Sequence, residues 1–234
     1  MSLRILYKYS ILLLIVFLVS CVNDDFYETM KRENNYTEIL SVYFKIPDSN
    51  QTTSYTGTYG EDHDYLNTPY AMSYNDNGDG TVTDNLTGLM WLKCTMTSTG
   101  ADTSPDCSGT HQKVQWYEAI DKCDGLEYAG YDDWRLPTIP ELSSIIHYGK
   151  PGPLTPAIDE SAFPGTEYED CYDDGAFPTA GWKIFCSGLS EEKYWTGTRW
   201  GPNEYAWSIH FDDGYTNFSD FEQFHYVRCV RNDD

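Results

Sequence analysis

Basic side chains are scarce: 15 Lys and Arg stand against 37 Asp and Glu in 234 residues, for a formal charge of −22. A duplex nucleic-acid binder neutralises phosphates with Lys and Arg, so that class of partner is excluded. No apolar run approaches the roughly 20 residues of a membrane-spanning helix. The longest, Ile11 to Val19, has nine. No CxxC, Gly-x-Ser-x-Gly, His-Glu-x-x-His or glycine-rich phosphate loop occurs, so no short catalytic or nucleotide motif marks an enzyme. No internal repeat is visible. What the chain does have is aromatic material, with 20 Tyr and 7 Trp, and hydrophobic residues at 40%. That is ample for a packed core and excludes global disorder.

The nine-residue apolar run suits the core of a signal peptide. It follows Arg4 and Lys8, and residues 1–20 contain no acid. Leu18-Val19-Ser20-Cys21 overlaps its end and looks like the bacterial lipobox, in which the small residue before cysteine opens the bond to the signal peptidase and the thiol takes a diacylglyceryl group. Residues 1–20 are therefore expected to be removed, and Cys21 to be lipidated and to tether the mature chain to a membrane. Losing Arg4 and Lys8 takes the charge from −22 to −24. Several acyl chains on one residue hold a protein durably on a membrane. Val22 stands where an inner-membrane retention signal usually carries Asp, which points to the outer membrane of a bacterial cell envelope.

Export also governs the other six cysteines, Cys94, Cys107, Cys123, Cys171, Cys186 and Cys229. An even number in an oxidising compartment reads as disulfides, although six cysteines allow 15 pairings by count. Zinc is the competing reading: His111 lies four residues after Cys107 and His225 four before Cys229.

Residues 21–66 are polar and acidic apart from one patch, Ile39 to Ile46, and read as a tether with too few apolar residues for a core of its own. The domain is expected over residues 67–234. Asp76-Asn-Gly-Asp-Gly80 and Thr87-Gly88 are turn signals around Thr81 to Asp84 and the apolar strand Leu89-Met-Trp-Leu92, a pattern of consecutive hairpins. Trp116, Ala119, Ile120 and Cys123 fall on one helical face that Gly125 closes. Thr138-Ile-Pro-Glu141 is a capping box, with Leu142, Ile145 and Ile146 behind it. Residues 149–192 form a long Pro/Gly-rich acidic stretch that reads as a functional or disordered loop. Short strands follow at Lys193 to Thr198, Tyr205 to Phe211, Tyr215 to Phe218 and Tyr226 to Arg231, with a hairpin turn at Asp213-Gly214.

Five motifs in this order, Asp76 to Asn85, Thr87-Gly-Leu-Met-Trp91, Asp133-Trp-Arg-Leu-Pro-Thr138 with Glu141-Leu142, Tyr194-Trp-Thr-Gly-Thr198 and Val227-Arg-Cys-Val-Arg231, resemble the Lcl C-terminal domain family over about residues 70–231. The resemblance implies an α+β, C-type-lectin-like domain with two helices, short antiparallel strands and a long loop, stapled by disulfides. It implies a non-enzymatic binding or adhesion role on an exported bacterial protein. It also implies a Cys123–Cys229 disulfide from the first helix to the last strand; Cys94–Cys107 and Cys171–Cys186 are nearest-neighbour expectations. The lectin sugar site does not transfer, because Gly201-Pro-Asn203 replaces its Glu-Pro-Asn or Gln-Pro-Asp and no Trp-Asn-Asp occurs. The cysteine chemistry of the related sulfatase-modifying proteins does not transfer either, since every cysteine of the domain has a structural role to fill.

No cofactor is expected. Asn75, Asn77, Asp79 and Gly80 match the start of an EF-hand loop, but position 12 is Leu86 and the flanks read as strands, so a hairpin turn is the better account. Calcium stays open as a non-EF site. In Asp133 to Pro137, Trp134 and Leu136 alternate inward and Arg135 faces out or pairs with an acid, a fold-defining role. Asp132-Asp133, Asp173-Asp174 and Asp212-Asp213 are adjacent in sequence and would diverge in strands. Five histidines, His63, His111, His147, His210 and His225, leave a catalytic set assembled from distant positions open.

The expected function is that of a lipid-anchored recognition or adhesion module, whose partner is a glycan or a protein. The alternatives are an assembly lipoprotein that binds another envelope protein, and an envelope enzyme. In the lectin-like topology, residues 149–192, 200–204 and 212–215 are expected to share a rim. Trp200 and Tyr215 would offer flat apolar faces there, and Asn203, Glu204, Asp212 and Asp213 hydrogen-bond acceptors. The competing reading buries Trp200 in the core.

Overall fold

The computed structural model describes residues 47–54, 57–59, 61–65, 70–149, 156–168 and 192–233. Cys21, Cys171 and Cys186 lie outside the described residues, and with them the lipidation site and the Cys171–Cys186 pairing. The described residues fall in one compact unit, Ile46–Asp234. Its first described residues are fastened to the rest: Asp48 N–H donates to the Tyr70 carbonyl at 2.9 Å, and Gly149 N–H to the Ser49 carbonyl at 3.1 Å.

The hairpins read from the turn residues form the first sheet. Strands β1 (Tyr74–Asp76), β2 (Thr81–Asp84) and β3 (Leu89–Leu92) follow one another, and β7 (Val230–Asn232) pairs with β3, giving the antiparallel order β1-β2-β3-β7. Strand β3 is apolar at all four positions because both of its faces are covered. Leu89 and Trp91 enter one core cluster with Leu142, Ile145, Phe163 and Ile209. Met90 and Leu92 enter a second with Trp116, Trp134, Trp195 and Val227. The second sheet is a meander of β4 (Lys193–Arg199), β5 (Tyr205–His210) and β6 (Thr216–Asp220). Its β4 also serves both clusters, Tyr194 the first and Trp195 the second.

Helix α1 (Trp116–Asp124) buries Trp116, Ala119 and Cys123 and ends at Gly125, as the periodicity predicts. Helix α2 (Ile139–Ser143) is only five residues long. Its N-terminus is held by Glu141, whose Oε2 accepts from both Thr138 N–H and Thr138 Oγ1 at 2.8 Å. Leu142 is fully buried, and Ile145 and Ile146 reach the same cluster from the turn beyond the helix. Burying one such side chain completely stabilises by about 1.5–3 kcal/mol.

The Asp133 to Pro137 segment ties these parts together. Trp134 and Leu136 are buried, while Asp133 is exposed and Arg135 half-buried, each with an ion-pair partner from another segment. Arg135 donates to both oxygens of Glu141 at 2.8 and 2.7 Å, and Asp133 accepts from Arg231 Nε at 2.6 Å. Burial alone would raise the Glu141 pKa, but the bonds from Arg135 and Thr138 hold it below the usual range.

Two disulfides staple the fold. Cys123–Cys229 joins α1 to the residue before β7, and Cys94–Cys107 closes the loop after β3. The long loop is in part core: among its described residues, Ala157, Ile158, Ala162 and Phe163 are buried. The domain is α+β and mostly β, with two α-helices and two small antiparallel sheets among the described residues.

Candidate functional site

Exposed aromatic side chains gather on the outer face of the second sheet. Trp207 and Phe218 are direct cross-strand partners of β5 and β6, as are Tyr205 and Asp220. With the period-two alternation of a strand, Tyr205, Trp207, Phe218 and Asp220 share one face. Trp200 arrives from the β4–β5 turn, whose closing bond runs from Trp200 N–H to the Tyr205 carbonyl at 2.8 Å. Its indole stacks on Phe218, with centroids 4.5 Å apart and planes 13° from parallel. Tyr205 meets both rings edge-on at 6.0 and 5.8 Å, and Trp207 meets Phe218 at 6.4 Å. Trp200 is 37% exposed and Phe218 42%, so the pair is a surface feature and Trp200 is not in the core. Such pairs gain about 0.5–1.5 kcal/mol beyond area burial, which fixes the rings in place.

The polar surroundings of this pair are acidic. Asn203 and Glu204 are exposed in the turn. Arg199, the cation beside them, donates to the Asn203 carbonyl at 3.2 Å and lies 5.5 Å from the Phe221 centroid. Asp220 Oδ1 accepts from the backbone N–H of Glu222 at 2.9 Å, and Glu222 is exposed in the turn after β6.

The structure divides the rim expected from the sequence. Trp200, Asn203 and Glu204 precede β5, whereas Asp212, Asp213 and Tyr215 follow it. Six residues of extended chain separate the two turns by roughly 17 Å. The second group has its own neighbours. Asp213 Oδ1 caps Tyr215 N–H at 2.8 Å, and Asp212 Oδ1 lies 3.6 Å from His210 Nδ1 with both side chains buried. Gly214 sits at φ +77° where a Cβ would meet Ile146 Cγ2 at 2.6 Å, so this turn is pressed onto the segment after α2. Tyr215 is exposed, 5.9 Å from His210 rather than near Trp200.

The remaining titratable candidates are spread through the fold. His111 lies between Glu167, 2.7 Å from Nδ1, and Asp102, 3.3 Å from Nε2. His225 packs on Trp195 at 4.3 Å, and burial with the nearby Lys193 charge pushes it down to about 3. The same causes push His210 down to about 4. His63 has no described side chain. Cys107 and Cys229 are each bonded to another cysteine, which removes the thiolates of the zinc reading. Among the described residues no three His, Cys, Asp or Glu side chains converge as a metal site. The Asn75 to Gly80 segment is a hairpin turn: Asp79 Oδ1 accepts from Thr81 N–H and Oγ1, and Asp76 pairs with Lys93 at 2.7 Å.

An open cleft of about 570 Å³ runs along Glu127, Tyr128, Ala129, Gly130, Tyr131 and Asp132. Its neighbours serve the scaffold: Trp134 Nε1 donates to the Tyr128 carbonyl at 3.2 Å, and Arg231 covers the Tyr131 ring at 3.9 Å.

The two-sheet scaffold with paired Asp133–Arg231 and Arg135–Glu141 defines a small, disulfide-stapled α+β domain. The Lcl C-terminal domain family model matches residues 80–231, from the glycine before β2 into β7, and the chain belongs to that family. No curated protein matches it.

Proposed function

We propose that this protein is a non-enzymatic binding or adhesion module of the bacterial cell envelope, held by lipid on Cys21, with the aromatic face of β4–β6 as its ligand-contacting surface. The observation that carries the reading is the Trp200–Phe218 stack, two large apolar rings left partly in solvent on a rigid sheet. Apolar platforms with a few directed polar groups are what ligand sites present, and aromatic anchors dominate binding energy. Family membership supports a module of an exported protein, and the charge of −22 opposes anionic partners. The C-type-lectin-like fold is the finer reading, supported by the Cys123–Cys229 link from the first helix to the last strand. Outer-membrane placement rests on Ser20-Cys21-Val22 in the sequence.

Arrays of glycans and extracellular-matrix proteins, probed with the full chain with and without calcium, test this reading. Binding to at least one array component, weakened tenfold or more in Trp200→Ala at unchanged melting temperature, is expected. No binding to any component, or binding indifferent to Trp200→Ala, would overturn it.

A further inference from the structure

We infer that the Trp200–Phe218 face takes an uncharged polysaccharide, one sugar ring lying flat on the outer face of Trp200. This rests on the binding-module reading above and names its ligand class. Three observations converge on it.

The first is shape. Trp200 and Phe218 lie 13° from parallel at 4.5 Å, so each fills one face of the other and no box opens between them. A quaternary ammonium is held by rings arranged as a cage around it. Here each ring keeps one outer face, the two on opposite sides of the stack, while Tyr205 meets both rings edge-on and Trp207 meets Phe218. A flat surface of this kind matches the C–H face of a sugar ring.

The second is area. At 37% exposure Trp200 presents roughly 60–90 Å² of apolar surface, taking about 150–250 Å² for a whole aromatic side chain. A stable protein partner covers about 800 Å² on each side. The platform is the size of a sugar ring, not of a protein interface.

The third is charge. Glu204, Asp220 and Glu222 stand at this end of the sheet, and the Arg199 guanidinium is engaged by the Asn203 carbonyl and the Phe221 ring. Sulfated and phosphorylated polymers meet repulsion here. Sugar hydroxyls are donors, and carboxylates together with the Asn203 side-chain carbonyl are the acceptors that receive them.

Native gels cast with dextran, a β-glucan, a mannan or a galactan, beside dextran sulfate, test the inference on the full chain. At least one neutral polymer should retard the protein and dextran sulfate should not. Trp200→Ala should reduce the retardation at least tenfold with the melting temperature held, whereas Trp200→Tyr, which keeps a ring face, should retain most of it. If Trp200→Ala does not fold, Trp200→Leu against Trp200→Tyr carries the same comparison. Retardation by no neutral polymer, equal retardation of wild type and the Ala or Leu variant, or stronger retardation by dextran sulfate than by dextran, would overturn the inference. A matrix protein bound through Trp200 while every neutral polymer fails would overturn the sugar assignment and leave the binding-module reading standing. Failure of every glycan and protein would overturn both.

Discussion

The Arg228 guanidinium lies fully buried over Phe163, 5.1 Å from the ring centroid, and its hydrogen bonds go to neutral groups: the Leu92 and Lys93 carbonyls, Thr95 Oγ1 and Thr166 Oγ1. It thereby clamps the described part of the long loop, residues 156–168, onto the strand end at β3. Removing one partner of a buried set leaves the others unsatisfied at about 1–3 kcal/mol each. Arg228→Leu should lower the unfolding free energy by at least about 3 kcal/mol in urea denaturation. A loss under about 1 kcal/mol would show that the clamp is dispensable.

The two described disulfides close loops of very different length, with a sequence separation of 106 for Cys123 and Cys229 and of 13 for Cys94 and Cys107. Loop-closure entropy gives about 4.7 kcal/mol for a loop of roughly 100 residues and about 3 kcal/mol for one of roughly 15. Cys123→Ala with Cys229→Ala should therefore destabilise more than Cys94→Ala with Cys107→Ala, read as the difference in urea midpoints at equal slope. The reverse order would mean that strain or unfolded-state structure outweighs loop length.

Acid should weaken the fold before its carboxylates titrate. His225 is held near 3 by burial, against about 6.5 in the unfolded chain. Between those values the unfolded state binds a proton that the folded state refuses, so stability falls as pH is lowered, by up to about 1.4 kcal/mol per unit. The depressed carboxylates Asp133 and Glu141 work in a lower window: their stabilisation is present above about 4 and is lost below it. From pH 7 to 4.5 the His225 contribution is about 2–3 kcal/mol. Urea denaturation of His225→Phe at both pH values should show a slope flatter by that amount. Identical slopes would contradict a neutral, buried His225.

Much of this scaffold is legible in residues whose local chemistry agrees with their packing. Asp76 to Gly80 supplies turn geometry, Leu89 to Leu92 supplies a strand buried on both faces, and Glu141 caps the helix that Arg135 then pins. The candidate site is legible only in part. In sequence Trp200 fits a surface ring and a core side chain alike, and Phe218, which completes the stack, reads as one more strand aromatic whose cross-strand register with Trp207 is set by the Asp213-Gly214 turn. That same turn, with Tyr205 to His210 before it, already places Asp212 and Tyr215 at the far end of β5 from Trp200; the shared rim came from an assumed topology, not from hairpin geometry. Ile158 and Phe163 stand in a Pro/Gly-rich stretch without periodicity, so nothing local marks them as core.

Anchoring makes a separate prediction. Cys21→Ala should release unlipidated protein from the membrane fraction or accumulate precursor, seen as altered fractionation and gel mobility. Unchanged membrane association and mobility would remove the lipid from the account.

Contact at the β4–β6 aromatic face is tested most directly by one comparison, with wild type, Trp200→Ala and Tyr215→Ala on the same glycan and matrix-protein array, each checked for melting temperature. Trp200 and Tyr215 are both exposed but sit at opposite ends of β5. Binding lost in Trp200→Ala and kept in Tyr215→Ala is the predicted result; binding kept in Trp200→Ala, or lost only in Tyr215→Ala, would contradict it.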